Sequence, residues 1–107
     1  MIQVVYHRKY HRVTAEGHAQ SGEVGHDLVC ASTTILLYTL ADRVLNMAQS
    51  GQVRAPQVQM DPGKAEISCN PSHRLTSSVT LVYDTICAGF QLLAADFPEN
   101  ISFEIRQ

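Results

Sequence analysis

Between Gly17 and Ser32 the chain reads GHAQSGEVGHDLVCAS, and this stretch gathers the side chains best suited to chemistry. It holds two imidazoles (His18 and His26), a carboxylate (Asp27) and a thiol (Cys30) that opens an apolar run. A thiol is a nucleophile only as thiolate, and a helix N-terminus or a neighbouring imidazole brings its pKa from about 8.5 to about 7 or below. The set suits covalent acyl transfer, in which Cys30 attacks a carbonyl and a histidine takes the thiol proton and returns it to the leaving amine. With Asp27 as N-cap, a helix starts at Leu28 and Cys30 falls at its third position. The unpaired amides of that first turn could then serve as an oxyanion hole, and the small Ala31 and Ser32 would let a peptide backbone come close. Asp27 reads as a cap first, because its charge beside Cys30 works against thiolate formation. His18, twelve positions upstream of Cys30, reaches the thiol if the loop doubles back. His26 is nearer in sequence but directly precedes the cap.

Two other chemistries compete. His18, His26, Asp27 and Cys30 are all possible metal ligands, but their spacing matches no common zinc arrangement and includes a single thiolate; no metal and no cofactor are expected. Alternatively, Cys30 is a small packed residue at a helix start and the chain is a non-catalytic, dimeric interaction or assembly module.

The elements that must position these groups are legible from periodicity. Ile2, Val4 and Tyr6 alternate with Gln3 and Val5 in a first strand, His7 to Arg12 form a turn, and Val13 to Glu16 form a second strand ending at Gly17. His18 thus sits just past a strand end. Ala19 to His26 form a connecting loop in which Ser21, Gly22 and Gly25 suit a flap. The helix from Leu28 to about Gln49 carries a core stripe of Leu37, Leu40, Ala41, Val44 and Ala48, with Leu36, Leu45 and Met47 as surplus apolar surface. Val53 to Met60 form a strand that Pro56 confines to an edge or a bulge, Asp61-Pro62-Gly63 a turn, and Lys64 to Asn70 the returning strand. A second helix follows, with Leu75, Val79, Val82, Ile86, Phe90 and Leu93 on one face. Pro98 ends it, and Ile101, Phe103 and Ile105 mark a last strand. Cys69 and Cys87 are core candidates. The order ββαββαβ predicts an α+β domain, two helices packed on a largely antiparallel sheet.

Bulk composition narrows the class. The 107 residues fit one domain, and 45% apolar with 17% charged residues fit a packed core. A net charge of −2 and a pI near 6.2 argue against a chain whose main business is holding nucleic acid. The basic cluster Arg8, Lys9, His11 and Arg12 reads as a solvated tip. Three widely spaced cysteines fit a reducing compartment. A strand directly after Met1 argues against a signal peptide. The run Ile35 to Met47, broken by Asp42 and Arg43, is too short and charged for a bilayer. A cytoplasmic protein is expected, with no membrane and no direct nucleic-acid partner.

Two separated motifs, Gly17-His18-Ala19 and Gly25-His26-Asp27-Leu28-Val29-Cys30-Ala31-Ser32, agree in order and spacing with one family pattern. They resemble the ribosomal-processing cysteine protease family Prp, whose pattern is GHA, a loop, then G-x-D-[IL]-V-C-[AS] entering a helix. The strand and helix order agrees over essentially the full length. The resemblance implies a single cysteine-protease domain over residues 1–107, with Cys30 as nucleophile, His18 as base and the loop from Ala19 to His26 ordering over a peptide. It further implies a homodimer, whose substrate is the N-terminal extension of a large-subunit ribosomal protein, removed during ribosome assembly. His26, Thr33 and Thr34 depart from the commonest residues at their positions, and none of them is in the implied dyad.

Overall fold

In the computed structural model, residues 1–18 and 26–107 are described, the side chains of His26 and Asp27 excepted. The flap expectation for Ser21, Gly22 and Gly25 lies outside the described residues. The strands are β1 (Ile2–His7), β2 (Arg12–Glu16), β3 (Val53–Asp61), β4 (Lys64–Pro71) and β5 (Ile101–Arg106); the helices are α1 (His26–Gln49) and α2 (Thr76–Asp96). Single 3₁₀ turns, Arg8–Tyr10 and His73–Leu75, join β1 to β2 and lead into α2.

The five strands form one sheet in the order β3-β4-β2-β1-β5, antiparallel at every pairing except the parallel β1–β5. The expected ββαββαβ order is therefore present, on a mixed sheet. Each helix links two strands that run the same way, β2 to β3 and β4 to β5, as a crossover between such strands requires. Consequently the start of α1 lies at the sheet end where β2 stops and β3 arrives, and that end becomes the site.

One sheet face is buried under both helices. Ile2, Val4, Tyr6, Val13, Ala15, Ala65, Ile67 and Cys69 point into it, and Leu37, Leu40, Ala41 and Val44 of α1 cover them. Burying each large aliphatic side chain contributes roughly 1.5–3 kcal/mol. Val29, completely buried, fastens the first turns of α1 onto this core immediately before Cys30. On α2 the buried residues are Val79, Tyr83, Cys87 and Phe90. Val79 and Phe90 of the expected stripe are thus buried, but between them the inward face is rotated towards Tyr83 and Cys87, and Val82 and Ile86 are only half-buried. Tyr83 explains the rotation: its ring lies beside that of Tyr6, and its hydroxyl donates to Cys69 Sγ at 3.6 Å. Pro56 lies where expected, on an edge strand, inside a register shift between Arg54 and Gln57 where Ala55 takes φ 50°.

Two expectations need correction. The basic cluster is not simply a solvated tip: His11 is buried with φ 49°, its Nε2 2.7 Å from Thr80 Oγ1, and Arg8 clamps Asp84 through Nε and Nη2 at 3.1 and 3.0 Å. The helical apolar spans are also longer than the run read from sequence. Leu28–Gln49 and His73–Asp96 have the length and hydropathy to cross a bilayer, yet each lays a face on the sheet.

Candidate active site

The end of β2 presents His18. Gly17 adopts φ 107°, and a Cβ there would overlap Met1 O, so only glycine lets the chain turn this close to the start of β1. Its amide donates to Gly63 O at 3.0 Å, and the Met1 amine donates to His18 O at 2.8 Å. Backbone bonds thus hold the chain on both sides of the His18 Cα. The imidazole lies against Gly63, in the two-residue β3–β4 connection Pro62-Gly63. Gly63 has φ 78°, the third-position conformation of a type II turn that Pro62 precedes. A Cβ on Gly63 would run into Nε2 and stand 2.6 Å from Cε1 of His18. The turn therefore uses glycine twice, for its own backbone and for the ring above it.

Cys30 is half-buried on α1, free of any disulfide, and packed against the core next to Val29. It shares with His18 the wall of an open cavity of about 500 Å³. α1 contributes Cys30, Thr33, Thr34, Leu37 and Tyr38, the i, i+3, i+4, i+7, i+8 face; the opposite wall is Met60 to Ala65. Helix and strand elements thus bring together a thiol and an imidazole that the sequence holds twelve residues apart.

The helix start differs from expectation in a way that matters chemically. α1 is described from His26, so Asp27 is helical rather than at the cap, and four helical residues at least precede Cys30. The amide of a fifth residue is paired with the carbonyl four residues back, and the helix charge fades beyond the first turn. Cys30 therefore draws less from the helix end than a third residue would, and the unpaired amides lie upstream of it. Ala31 is exposed and Ser32 half-buried, and neither lines the cavity. Thr33, Tyr38, Met60 and Gly63 line it without having stood out as site residues; helical spacing from Cys30 would have found the first two. Thr33 Oγ1 is buried with no hydrogen-bond partner among the described residues. Among the described residues no three His, Cys, Asp or Glu side chains gather to hold a metal.

A thiol and an imidazole thus line one open cavity of an α+β fold, the residue types a thiol hydrolase employs. The family model of cysteine protease Prp matches residues 1–102. The chain belongs to that family and is a cysteine protease. It is 24% identical over 89 residues to the ribosomal processing cysteine protease Prp of Staphylococcus aureus, spanning 83% of this chain and 80% of that protein. Its fold superposes on the S. aureus essential ribosomal processing protease Prp in complex with a substrate peptide, with a TM-score of 0.72 at 24% identity, covering 99% of this chain and all of the other. The same protease in complex with a covalently linked product peptide gives a TM-score of 0.71 at 22% identity, covering 98% and 97%.

Proposed function

We propose that Cys30 is the nucleophile and His18 the general base of an endopeptidase that removes the N-terminal extension of a large-subunit ribosomal protein. The observation that carries the reading is that His18, fixed by backbone bonds at the end of β2, and Cys30, fixed by Val29 on α1, face one cavity. His18 takes the Cys30 proton, and the thiolate adds to the scissile carbonyl carbon. The proton on His18 passes to the leaving amine as the C–N bond breaks, leaving an acyl thioester on Cys30. His18 then deprotonates a water, which adds to the thioester carbonyl. Cys30 departs and recovers the proton. The upstream amides of the first α1 turn are the donors available to a developing oxyanion. The covalently linked product peptide of the S. aureus relative supports a covalent route.

The exposed apolar residues Leu28, Ile35, Tyr38 and Leu45 recur on α1 at spacings of seven, three and seven. Such a stripe supports a homodimer, and three free thiols support a reducing, cytoplasmic setting. The decisive test is incubation of the protein with the N-terminal peptide of the host ribosomal protein, comparing wild type, Cys30→Ala and His18→Ala. Cleavage by wild type and loss in both variants is the expected outcome. Undiminished cleavage by Cys30→Ala would sink the mechanism, and no cleavage by wild type would remove the substrate.

A further inference from the structure

The sheet face opposite the helices is open, and its charges are segregated. Side chains that alternate with the buried ones point out of it, so the β-registers give its rows directly. The row nearest the β1–β2 turn runs Gln57, Ser68, Arg12, His7, Arg106 across all five strands. Arg54 stands beyond it opposite Asn70, and the turn adds Arg8 and Lys9. With Arg74 in the 3₁₀ turn after β4, six of the eight Lys and Arg residues (Arg8, Lys9, Arg12, Arg54, Arg74, Arg106) collect at this end. The protease cavity is at the other.

Acidic partners at this end neutralise only two of the six. Asp84 holds Arg8, and Glu104 holds Arg106. Lys9, Arg12, Arg54 and Arg74 are exposed and make no ion pair among the described residues. Arg12 and Arg106 flank His7 in one cross-strand row. The amide and hydroxyl groups of Gln57, Ser68 and Asn70 complete the surface with neutral hydrogen-bonding groups. At its rim Tyr10 is 59% exposed, with Lys9 Nζ 6.0 Å from the ring centroid.

We propose that this basic end of the sheet docks single-stranded RNA, with Lys9, Arg12, Arg54 and Arg74 on its phosphates and Tyr10 stacking on a base. Unpaired cations beside an exposed aromatic ring are the elements of sequence-tolerant single-strand binding. A membrane surface would need large apolar side chains beside the cations, and this row has none. The choice of RNA over DNA rests on the ribosomal role proposed above; the basic end itself does not. Docking there leaves the cavity at the opposite end free, so the enzyme can hold an assembling particle while it cuts.

The test is fluorescence anisotropy of a labelled single-stranded RNA of mixed sequence with the full-length Cys30→Ala protein, which keeps binding separate from cleavage. Four phosphate contacts predict a log–log salt slope near −3, an affinity loss of about 50-fold between 50 and 200 mM salt. Lys9→Gln with Arg12→Gln should flatten the slope by about 1.4, Tyr10→Ala should weaken binding about tenfold, and Arg43→Gln on α1 should change nothing. All these side chains are exposed or half-exposed, and unchanged peptide cleavage by the same substitutions in the Cys30 background would show intact folding. Absence of RNA binding at 50 mM salt, binding unaffected by Lys9→Gln/Arg12→Gln, or equal binding to anionic vesicles would each overturn the proposal.

Discussion

Replacing Gly63 by alanine tests whether the observed seat of His18 is its working position. The substitution has two separable effects. At φ 78° an L-residue is strained by roughly 1–2 kcal/mol. About 0.4–1 kcal/mol of that is offset by the lower entropy of the unfolded chain. The second effect is steric. The new Cβ would lie 2.6 Å from Cε1 of His18, against an ordinary carbon contact of about 3.5–4.0 Å, so the ring must withdraw by about 1 Å. The imidazole is exposed and can move at little cost in stability, but misplacing a reacting group by about 1 Å costs on the order of 100-fold in rate, or about 2.7 kcal/mol of transition-state stabilisation. Gly51 supplies the control: it has φ 74°, and a Cβ added there would meet nothing within 4 Å, so Gly51→Ala carries the backbone strain alone. Both variants should lose a similar few degrees of Tm, about 4–8 °C per kcal/mol for a chain near this size. Only Gly63→Ala should lose kcat, by about 100-fold, with KM nearly unchanged. Folded Gly63→Ala with wild-type kcat would refute the seat of His18 as the catalytic position.

Thiol reactivity should separate the three cysteines. Cys30 is half-buried, whereas burial raises the Cys69 thiol, and burial together with the Asp84 charge pushes Cys87 up to about 12. Iodoacetamide near neutral pH should therefore label Cys30 first by mass spectrometry, and equal slow labelling of all three would contradict an activated thiol. Thr33→Val removes a buried hydroxyl with no partner among the described residues; relief of a penalty of about 1–3 kcal/mol should raise Tm, and a lower Tm would show that the hydroxyl is satisfied in solution. Burial holds the His11 pKa below its usual value, with the Arg8 charge acting the same way. The unfolded chain then binds the proton more readily, so this contribution is present above about pH 6.5 and is lost as pH falls through the folded-state pKa. Thermal melts between pH 7.5 and 5 should show a steeper loss for wild type than for His11→Asn, which tolerates the same left-handed backbone; parallel curves would exclude His11 as the titrating group.

Much of the fold was legible because local rules and packing agreed. Ile2, Val4 and Tyr6 alternate because one sheet face is covered. Pro56 reads as an edge or bulge because it cannot donate to a ladder, and it occupies both. The rotation of the α2 stripe was not legible, since periodicity ranks Val82 and Ile86 above a tyrosine whose hydroxyl finds a buried partner only after β4 brings Cys69 beside it. Asp27 satisfies the local rules for a cap, yet the helix already includes His26 and Asp27.

Charge was the least legible property. A net charge of −2 is a sum over the chain, whereas binding depends on where charges lie. Arg12, Arg54 and Arg106 are far apart in sequence, and only the order β3-β4-β2-β1-β5 sets them along one edge of the open face. The same topology works at the opposite end, where it sets the close of β2, the start of α1 and the β3–β4 turn around one cavity. His18 and Cys30 are legible as a pair from their motifs. Gly63, which seats the imidazole, is not, because in sequence it is only the last residue of a turn. A glycine that must both take a positive φ and leave room for a ring is recognisable once the ring is placed, so the support of the candidate base is a product of tertiary structure rather than of any motif.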